Sequence, residues 1–334
     1  MKFKSTWILL IILALIASYF FFIEERSRKQ KEIEKEESGK VLPYSPEDVE
    51  KLIFHNPEGD TIEMEKVGSE WKIKSPVITK GSASTINALV KQIVPGYKKE
   101  VLKGVSNLED YGLKEPFASI VIFAKDRSKP DTIFVGDKTP TSSSCYMRVG
   151  HSKDIIITTG MTRNLMNKNL YHLRDKNFLN IDSNDIDAIK IKSGKMVLKL
   201  VKKDKNWWIE DANYRADKYK VVTYLNKLTR AIIKEFVRED KEVLGPYGLE
   251  KPKRMITLQH GSEIIDIFFG NKKNDKVYVV RSGLDKVILL DGNMLDAFEW
   301  DKENLRAMNL AFFDIDKVKH IPVSYTHLRA HETR

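Results

Sequence analysis

Along short runs of this chain apolar and polar residues alternate, as in Thr61-Ile62-Glu63-Met64-Glu65 and Met196-Val197-Leu198-Lys199-Leu200. A period of two predicts strands with one buried and one wet face. Each run leads into a tryptophan strand, Trp71-Lys72-Ile73 or Trp207-Trp208-Ile209, and then the period changes. Ile86, Leu89, Val90 and Ile93, and later Val221, Val222, Leu225 and Leu228, fall on one side of a helix, with Ser84 and Asp217 as the expected N-caps. Further strands are predicted at Ser119 to Phe123 with Ile133 to Val135, and at Met255 to Leu258 with Ile264 to Phe269. Closing helical segments carry Leu165 and Leu170, or Leu295 and Phe298. The order β-β-α-β-β-α implies an α+β class with antiparallel pairing, because strands come in runs and not in βαβ alternation.

The two passes are copies of one another at a spacing of about 135 residues. Leu108, Tyr111-Gly112-Leu113 and Pro116 recur as Leu244, Tyr247-Gly248-Leu249 and Pro252. Gly136, and Tyr146 with Arg148, answer to Gly270, and Tyr278 with Arg281; Leu173-Arg174 answers to Leu305-Arg306. A glycine in the Tyr-Gly-Leu element supplies a turn with positive φ, and the proline after it suits the start of a strand.

Ahead of the repeats, Ser5 to Ile23 holds no charged residue and as a helix would be roughly 28 Å long, the thickness of a bilayer core. Trp7 and Tyr19 lie toward its two ends, where amphipathic rings favour the interface. A cleaved signal peptide is the alternative, but Leu15 stands where a small residue should accompany Ala17, so an uncleaved anchor is the better reading. A raw count of Lys and Arg after the span, from Arg26 to Lys40, points the domains inward; the short basic N-terminus, free of acidic groups, points them outward. The expectation adopted is a single pass with residues 1–4 in the cytoplasm and the domains outside it. Glu24/Arg28, Glu25/Lys29 and Arg28/Glu32 sit at helical spacing, so the charged stretch reads as a stalk, ended by Ser38-Gly39 and Pro43.

The chain's 334 residues suit two domains of about 100 to 200 residues each. With 42% hydrophobic and 31% charged residues it has a globular composition. The net charge of +10 is spread among alternating signs and forms no stripe, which argues against nucleic acid and leaves an anionic membrane or envelope polymer as the better class of contact. A single cysteine, Cys145, excludes an intramolecular disulfide framework without excluding export.

The Trp-x-Ile strand, the helix, Tyr-Gly-Leu-x-x-Pro, the Gly136 to Pro140 loop (Gly-Asp-Lys-Thr-Pro) and Tyr146-Met147-Arg148 together resemble a bacterial domain-of-unknown-function family, number 4340. That family is recognised as repeated domains behind one N-terminal transmembrane helix, often linked to gliding-motility-type ABC transport systems. The resemblance covers about residues 44 to 321 and brings no catalytic residue with it. It implies a non-enzymatic, membrane-anchored accessory or scaffold protein of the bacterial inner membrane and cell envelope, with transporter or motility subunits as partners. The alternative is a binding module for envelope glycan or anionic lipid. The second copy lacks Thr-Pro after Gly270, so that loop need not share a role.

The residues offer little chemistry of their own. No phosphate-binding loop, nucleophile elbow, zinc-protease helix or dinucleotide fingerprint is present. His55, His151, His172, His260, His320, His327 and His331 are scattered without ligand spacing, so neither a metal nor another cofactor is expected. Ser142-Ser143-Ser144-Cys145 is predicted as a loop, and His151 is its only nearby candidate base; a plain surface loop is the favoured reading. Trp71, Trp207 and Trp208 could be sugar-stacking platforms, yet recurrence of Trp71 and one of the pair at one position is how a core anchor behaves. Tyr111 and Tyr247 read first as turn-packing residues.

The expected layout is therefore a tail at 1–4, a span at 5–23, a stalk and linker at 24–43, and repeat domains at 44–177 and 178–311. Phe312-Phe313-Asp314-Ile315-Asp316 repeats the opening Phe178-Leu179-Asn180-Ile181-Asp182 after 134 residues, which suggests the start of a third copy at 312–322. The following 323–334 has no periodicity and resembles an artefactual tail.

Overall fold

The computed structural model describes residues 39–212, 214–296, 300, 302–308 and 319–320, together with Tyr19 and Glu24. The predicted span and stalk up to residue 38, and the suspected third copy with its tail, otherwise lie outside the described residues, as does Phe298. Among the described residues no helix is long and apolar enough to cross a membrane. The chain divides into two compact units between Lys176 and Asn177.

In the first unit the elements run β1 (Val49–His55), β2 (Thr61–Val67), β3 (Glu70–Ser75), β4 (Thr79–Lys80), α1 (Ala83–Ile93), β5 (Glu100–Leu102), β6 (Ala118–Ala124), β7 (Asp131–Lys138), β8 (Ser144–Val149), β9 (Ile155–Thr159), α2 (Gly160–Met166) and α3 (Leu170–Leu173). The second unit repeats this as β10 (Ala188–Ser193), β11 (Met196–Lys203), β12 (Asn206–Ile209), β13 (Tyr214–Arg215), α4 (Lys218–Thr229), β14 (Glu235–Arg238), β15 (Arg254–His260), β16 (Glu263–Lys273), β17 (Lys276–Arg281), β18 (Leu284–Asp291), α5 (Asn293–Asp296) and α6 (Lys302–Leu305).

Each unit is one nine-stranded antiparallel sheet. Its order is β4-β3-β2-β1-β6-β7-β8-β9-β5 in the first and β13-β12-β11-β10-β15-β16-β17-β18-β14 in the second. Two four-stranded meanders are thus joined through β1 and β6, with Leu52 opposite Ile122 and Phe54 opposite Ile120. The helix α1 carries the chain from one edge strand to the other and buries Ile86, Leu89, Val90 and Ile93 in the same core as the strands. In the second unit Val221, Tyr224, Leu225 and Leu228 of α4 do the same.

After the last strand the chain returns to the far edge of its sheet. Ser82 N donates to Leu173 O at 2.7 Å and Asp175 N to Lys80 O at 2.9 Å. The second unit makes the same closure, with Asp217 N on Leu305 O at 2.7 Å and Ala307 N on Arg215 O at 2.9 Å. Leu173 and Leu305, the leucines of the repeated Leu-Arg pair, sit buried at these seams.

Antiparallel strands with packed helices were expected, but the sequence reading undercounts the strands. β4 and β13 have two residues and β5 has three, too few to show a period of two. The helix cap also shifts. Asp217 caps α4 through Lys220 N at 3.1 Å, as expected, whereas the first helix is capped by Ser82 and not by Ser84. Helical geometry already begins at Ala83, so Ser84 lies inside the first turn, and it is the Ser82 hydroxyl that accepts from Thr85 N.

Trp71 and Trp207 are core residues, at 1% and 2% exposure, and each occupies the third strand of its unit. Trp208 points to the opposite face, half-buried, with the Arg215 guanidinium 5.4 Å from its ring centre. Replacing Trp71 or Trp207 by alanine is therefore expected to cost about 3 to 5 kcal/mol in denaturant unfolding, and the same change at Trp208 distinctly less.

Candidate functional site

The recurring Tyr-Gly-Leu element ends a short 3-10 turn, Glu109–Tyr111 in one unit and Gly245–Tyr247 in the other. Gly112 and Gly248 take φ of 64° and 69°. Leu113 N then donates back to Leu108 O and Gly112 N to Glu109 O, at 2.9 and 3.0 Å. Leu249 N to Leu244 O and Gly248 N to Gly245 O repeat the pattern at 3.2 and 3.0 Å. Paired six-residue and four-residue closures about a left-handed glycine form a Schellman motif, which favours an apolar residue at each end of the turn. The flanking leucines of the repeat, Leu108/Leu113 and Leu244/Leu249, are those residues.

The turn is pressed against the next landmark. A Cβ at Gly136 would lie 2.2 Å from Tyr111 O, and one at Gly270 would lie 2.2 Å from Tyr247 O. Backbone meets backbone here, and no side chain fits between. Tyr111 packs edge-on against Tyr146 with centroids 4.9 Å apart, and Tyr247 meets Tyr278 at 4.8 Å. In the second unit this turn covers a small cluster of Leu249, Val280 and Val287 on the sheet face opposite the main core. The repeated tyrosines are turn-packing residues.

The arginines matched with those tyrosines are not equivalent. Phe134 pairs with Arg148 and the corresponding Phe268 with Val280, so Arg281 stands one place further along its strand. Arg148 lies over the Phe134 ring at 4.9 Å, while Arg281 donates from Nε to Phe178 O at 2.9 Å. One residue of slip sends a side chain to the other face of a strand.

The Ser142 to Cys145 run is only partly a loop. β8 begins at Ser144, and Cys145 is fully buried with its thiol donating to Thr159 O at 3.5 Å. Its counterpart Val277 is equally buried, so the position calls for a small apolar side chain. Burial pushes the Cys145 thiol pKa up, only partly offset by a backbone hydrogen bond from Arg163 and by the charges of Arg163 and Lys99. His151 stands in the turn beyond the far end of β8, past roughly 13 Å of strand. The two residues are not brought together.

The described histidines are likewise separate. His55 Nδ1 is 2.9 Å from Thr61 Oγ1, and His172 Nδ1 is 2.6 Å from Asn169 Oδ1 in the cap of α3. Burial, then Lys168 and Lys176, lower the His172 pKa. Among the described residues no three of His, Cys, Asp and Glu gather in a way that could hold a metal.

Two clefts remain. One of about 450 Å³ in the first unit is lined by Glu47, Lys66, Ser69, Asn87 and Lys91. Lys66 Nζ there donates to Glu47 O at 3.1 Å, and Asn87 Oδ1 accepts from the Trp71 indole at 2.8 Å. The other, of about 320 Å³ in the second unit, lies among Tyr219, Thr223, Tyr224, Lys227 and Trp300. Neither coincides with a repeated landmark; the first is lined from three separate stretches, and the second mainly by one helix, Tyr219 to Lys227 of α4, with Trp300.

The sequence model described as "Domain of unknown function (DUF4340)" matches the chain twice, over residues 71–212 and 207–332. No curated protein and no solved structure matches. Both matches open on a tryptophan strand, and the first runs past the division at Lys176 into the second unit.

Two outcomes follow from this geometry. Gly136→Ala, which forces the chain off the Tyr111 carbonyl, should destabilise the first unit by about 1 to 3 kcal/mol or more in calorimetry or denaturant unfolding. The Cys145 thiol should resist a thiol-specific reagent at neutral pH in the folded chain and react fully once denatured, because both burial and a raised pKa suppress its thiolate.

Proposed function

From the premise that the chain belongs to the DUF4340 family of domains of unknown function, we propose that it is a membrane-anchored, non-enzymatic scaffold of the bacterial cell envelope. Residues 5–23 hold it in the inner membrane with its N-terminus in the cytoplasm, and the two units stand outside. Its partners in this reading are subunits of an ABC-type transport or gliding-motility system.

The observation that carries the reading is the use made of the repeated residues. Trp71 and Trp207 fill cores, Tyr-Gly-Leu closes Schellman turns, Gly136 and Gly270 accept a backbone, and Leu173 and Leu305 seal the seams. What the duplication preserves is a way of building a broad sheet. A sheet with one face given to the core offers the other for contact with proteins, and such repeated platforms suit adaptor work. The uncharged length of 5–23 supplies the anchor.

The alternative of a glycan-binding module has less support. Two of its three candidate stacking rings, Trp71 and Trp207, are inside the cores, and the third is covered in part by Arg215.

The reading is tested on the full-length protein in its native membrane. A reporter active only outside the cytoplasm, fused after Gly39, should be active, and crosslinking should recover an ATPase and a permease. An inactive outer reporter with an active cytoplasmic one reverses the orientation, and recovery of neither subunit removes the transporter partnership.

A further inference from the structure

The two units share their core pattern, and one half of the outer sheet face differs between them in charge. In the first unit that half carries matched charges. Glu65 lies opposite Lys51 and Lys72 in the register, Lys51 Nζ is 2.5 Å from Glu63, and Lys74 Nζ is 3.1 Å from Glu65. The ladder is a mosaic of exposed ion pairs, worth little each but electrically balanced.

The second unit replaces the acids. Where Ile53 faces Glu63 in the first, Lys190 faces Lys199; where His55 faces Thr61, Lys192 faces Val197; and Val201 stands at the place of Glu65. Lys190 and Lys192 are exposed and enter no ion pair among the described residues. Lys199 is 3.4 Å from Glu210. Like charges directly opposite on a ladder are destabilising, so Lys190 and Lys199 do not serve the sheet's own stability.

The row of Lys199 and Lys190 continues through Thr257 to Asp266, and the rows on either side of it are mostly aliphatic and aromatic. One row across the strands reads Trp208, Val201, Ala188, Gln259 and Ile264, with Ile264 61% exposed. The row beyond Lys190 holds Val197, Lys192 and Met255. A sugar polymer or an acidic peptide would be met by hydrogen-bonding side chains, and here Gln259 and Thr257 are few among Val, Met, Ile and Trp. Thr257 is moreover engaged, donating to Asp266 Oδ1 at 2.7 Å. A flat field of lysines set among aliphatic residues and one tryptophan matches a surface that is anionic on top and apolar just beneath, which is the interface of an anionic bilayer.

We propose that this face of the second unit, built on Lys190, Lys192, Lys199, Val197, Trp208 and Ile264, docks on anionic lipid headgroups. It deepens the reading above, since a chain tethered by residues 5–23 meets the bilayer at high effective concentration. The counterpart face of the first unit does not dock.

The test uses the full chain in vesicles of phosphatidylcholine, with or without about one third phosphatidylglycerol. An environment-sensitive fluorophore is placed at Val197→Cys in a Cys145→Val background, and at Thr61→Cys as the first-unit control. The expected result is a blue shift at position 197 only in the anionic vesicles, reversed by high salt, with position 61 unmoved. Lys190→Gln with Lys199→Gln should weaken docking about fivefold for each lost charge, or roughly 25-fold together. The same pair of changes should leave the melting temperature nearly unchanged, since the repulsion it relieves offsets the exposed Lys199–Glu210 pair it removes, so loss of docking cannot be put down to unfolding. An equal signal in both vesicle types, or a shift that survives the double substitution, overturns the proposal. A shift induced by soluble dextran sulfate beside phosphatidylcholine alone reassigns the face to a polymer and also overturns it. Resistance of the protein to alkaline extraction reads the anchor separately, so failure of the span and failure of the face are told apart.

Discussion

Each unit has a single main core on one side of its sheet, and that one-sided burial governs what can vary and what cannot. Strand residues alternate between faces, so every second position of nine strands must meet the same helix and its neighbours. Leu52, Phe54, Ile62, Met64, Trp71 and Ile73 in the first unit, and Ile189, Ile191, Leu198, Leu200, Trp207 and Ile209 in the second, are held to apolar types by that requirement. At about 25 cal/mol per Å² of apolar surface, burying such side chains outweighs anything an exposed ion pair could contribute on the other face. The outer positions are correspondingly free. Glu63 and Glu65 could become Lys199 and Val201 with the register unchanged.

The outer face is not uniformly open, because the Tyr-Gly-Leu turn closes part of it. In the second unit Leu244, Tyr247 and Leu249 lie over Phe268, Tyr278, Val280 and Val287, which gives that half a minor core. Contact at this place depends on two glycines at once. Gly248 supplies the left-handed turn, and Gly270 lets the Tyr247 carbonyl approach the strand. Residues at both positions answer to geometry, whatever the chain does, and their recurrence therefore carries no catalytic message. The other half of the outer face, on β10 to β12 and β15, carries no such turn.

Legibility in the sequence follows the same division. The tryptophan strands, the helix stripes and the glycine turns could be read because each imposes a residue type at a fixed spacing. Ser82 was missed as the cap because Ser82 and Ser84 both stand near the start of the helix, and only the backbone shows which hydroxyl faces Thr85 N. β8 was missed at its beginning because Ser143 and Ser144 carry no apolar signal, although Cys145 is buried as deeply as Val277. Matching Arg148 to Arg281 failed for a different reason. Similar letters in similar places suggest equivalence, but Arg148 stands two residues after Tyr146 and Arg281 three after Tyr278, which puts them on opposite faces of their strands. The lysine field is not legible because Lys190, Lys192 and Lys199 come from two strands and look, in one dimension, like ordinary exposed charges.

The family match and the folded unit share a period but not a frame. Each match opens at a tryptophan, on β3 or β12, so β1 and β2 fall ahead of the first match while β10 and β11 fall within it. Pairing decides where the module begins. β1 pairs with β2 on one side and with β6, from Ala118–Ala124, on the other, and so forms the middle of the first sheet. β10 is placed in the same way between β11 and β15. A repeat that began at Trp71 would lack β1 and β2, leaving the second meander without the strand that joins it to the first. Local similarity finds the most constrained letters, and these lie late in the meander; the first strand, whose neighbour β6 is some seventy residues away, is bound by partners and not by distinctive residues. The compact unit therefore starts before its most recognisable sequence, at the strand on which both halves of the sheet depend.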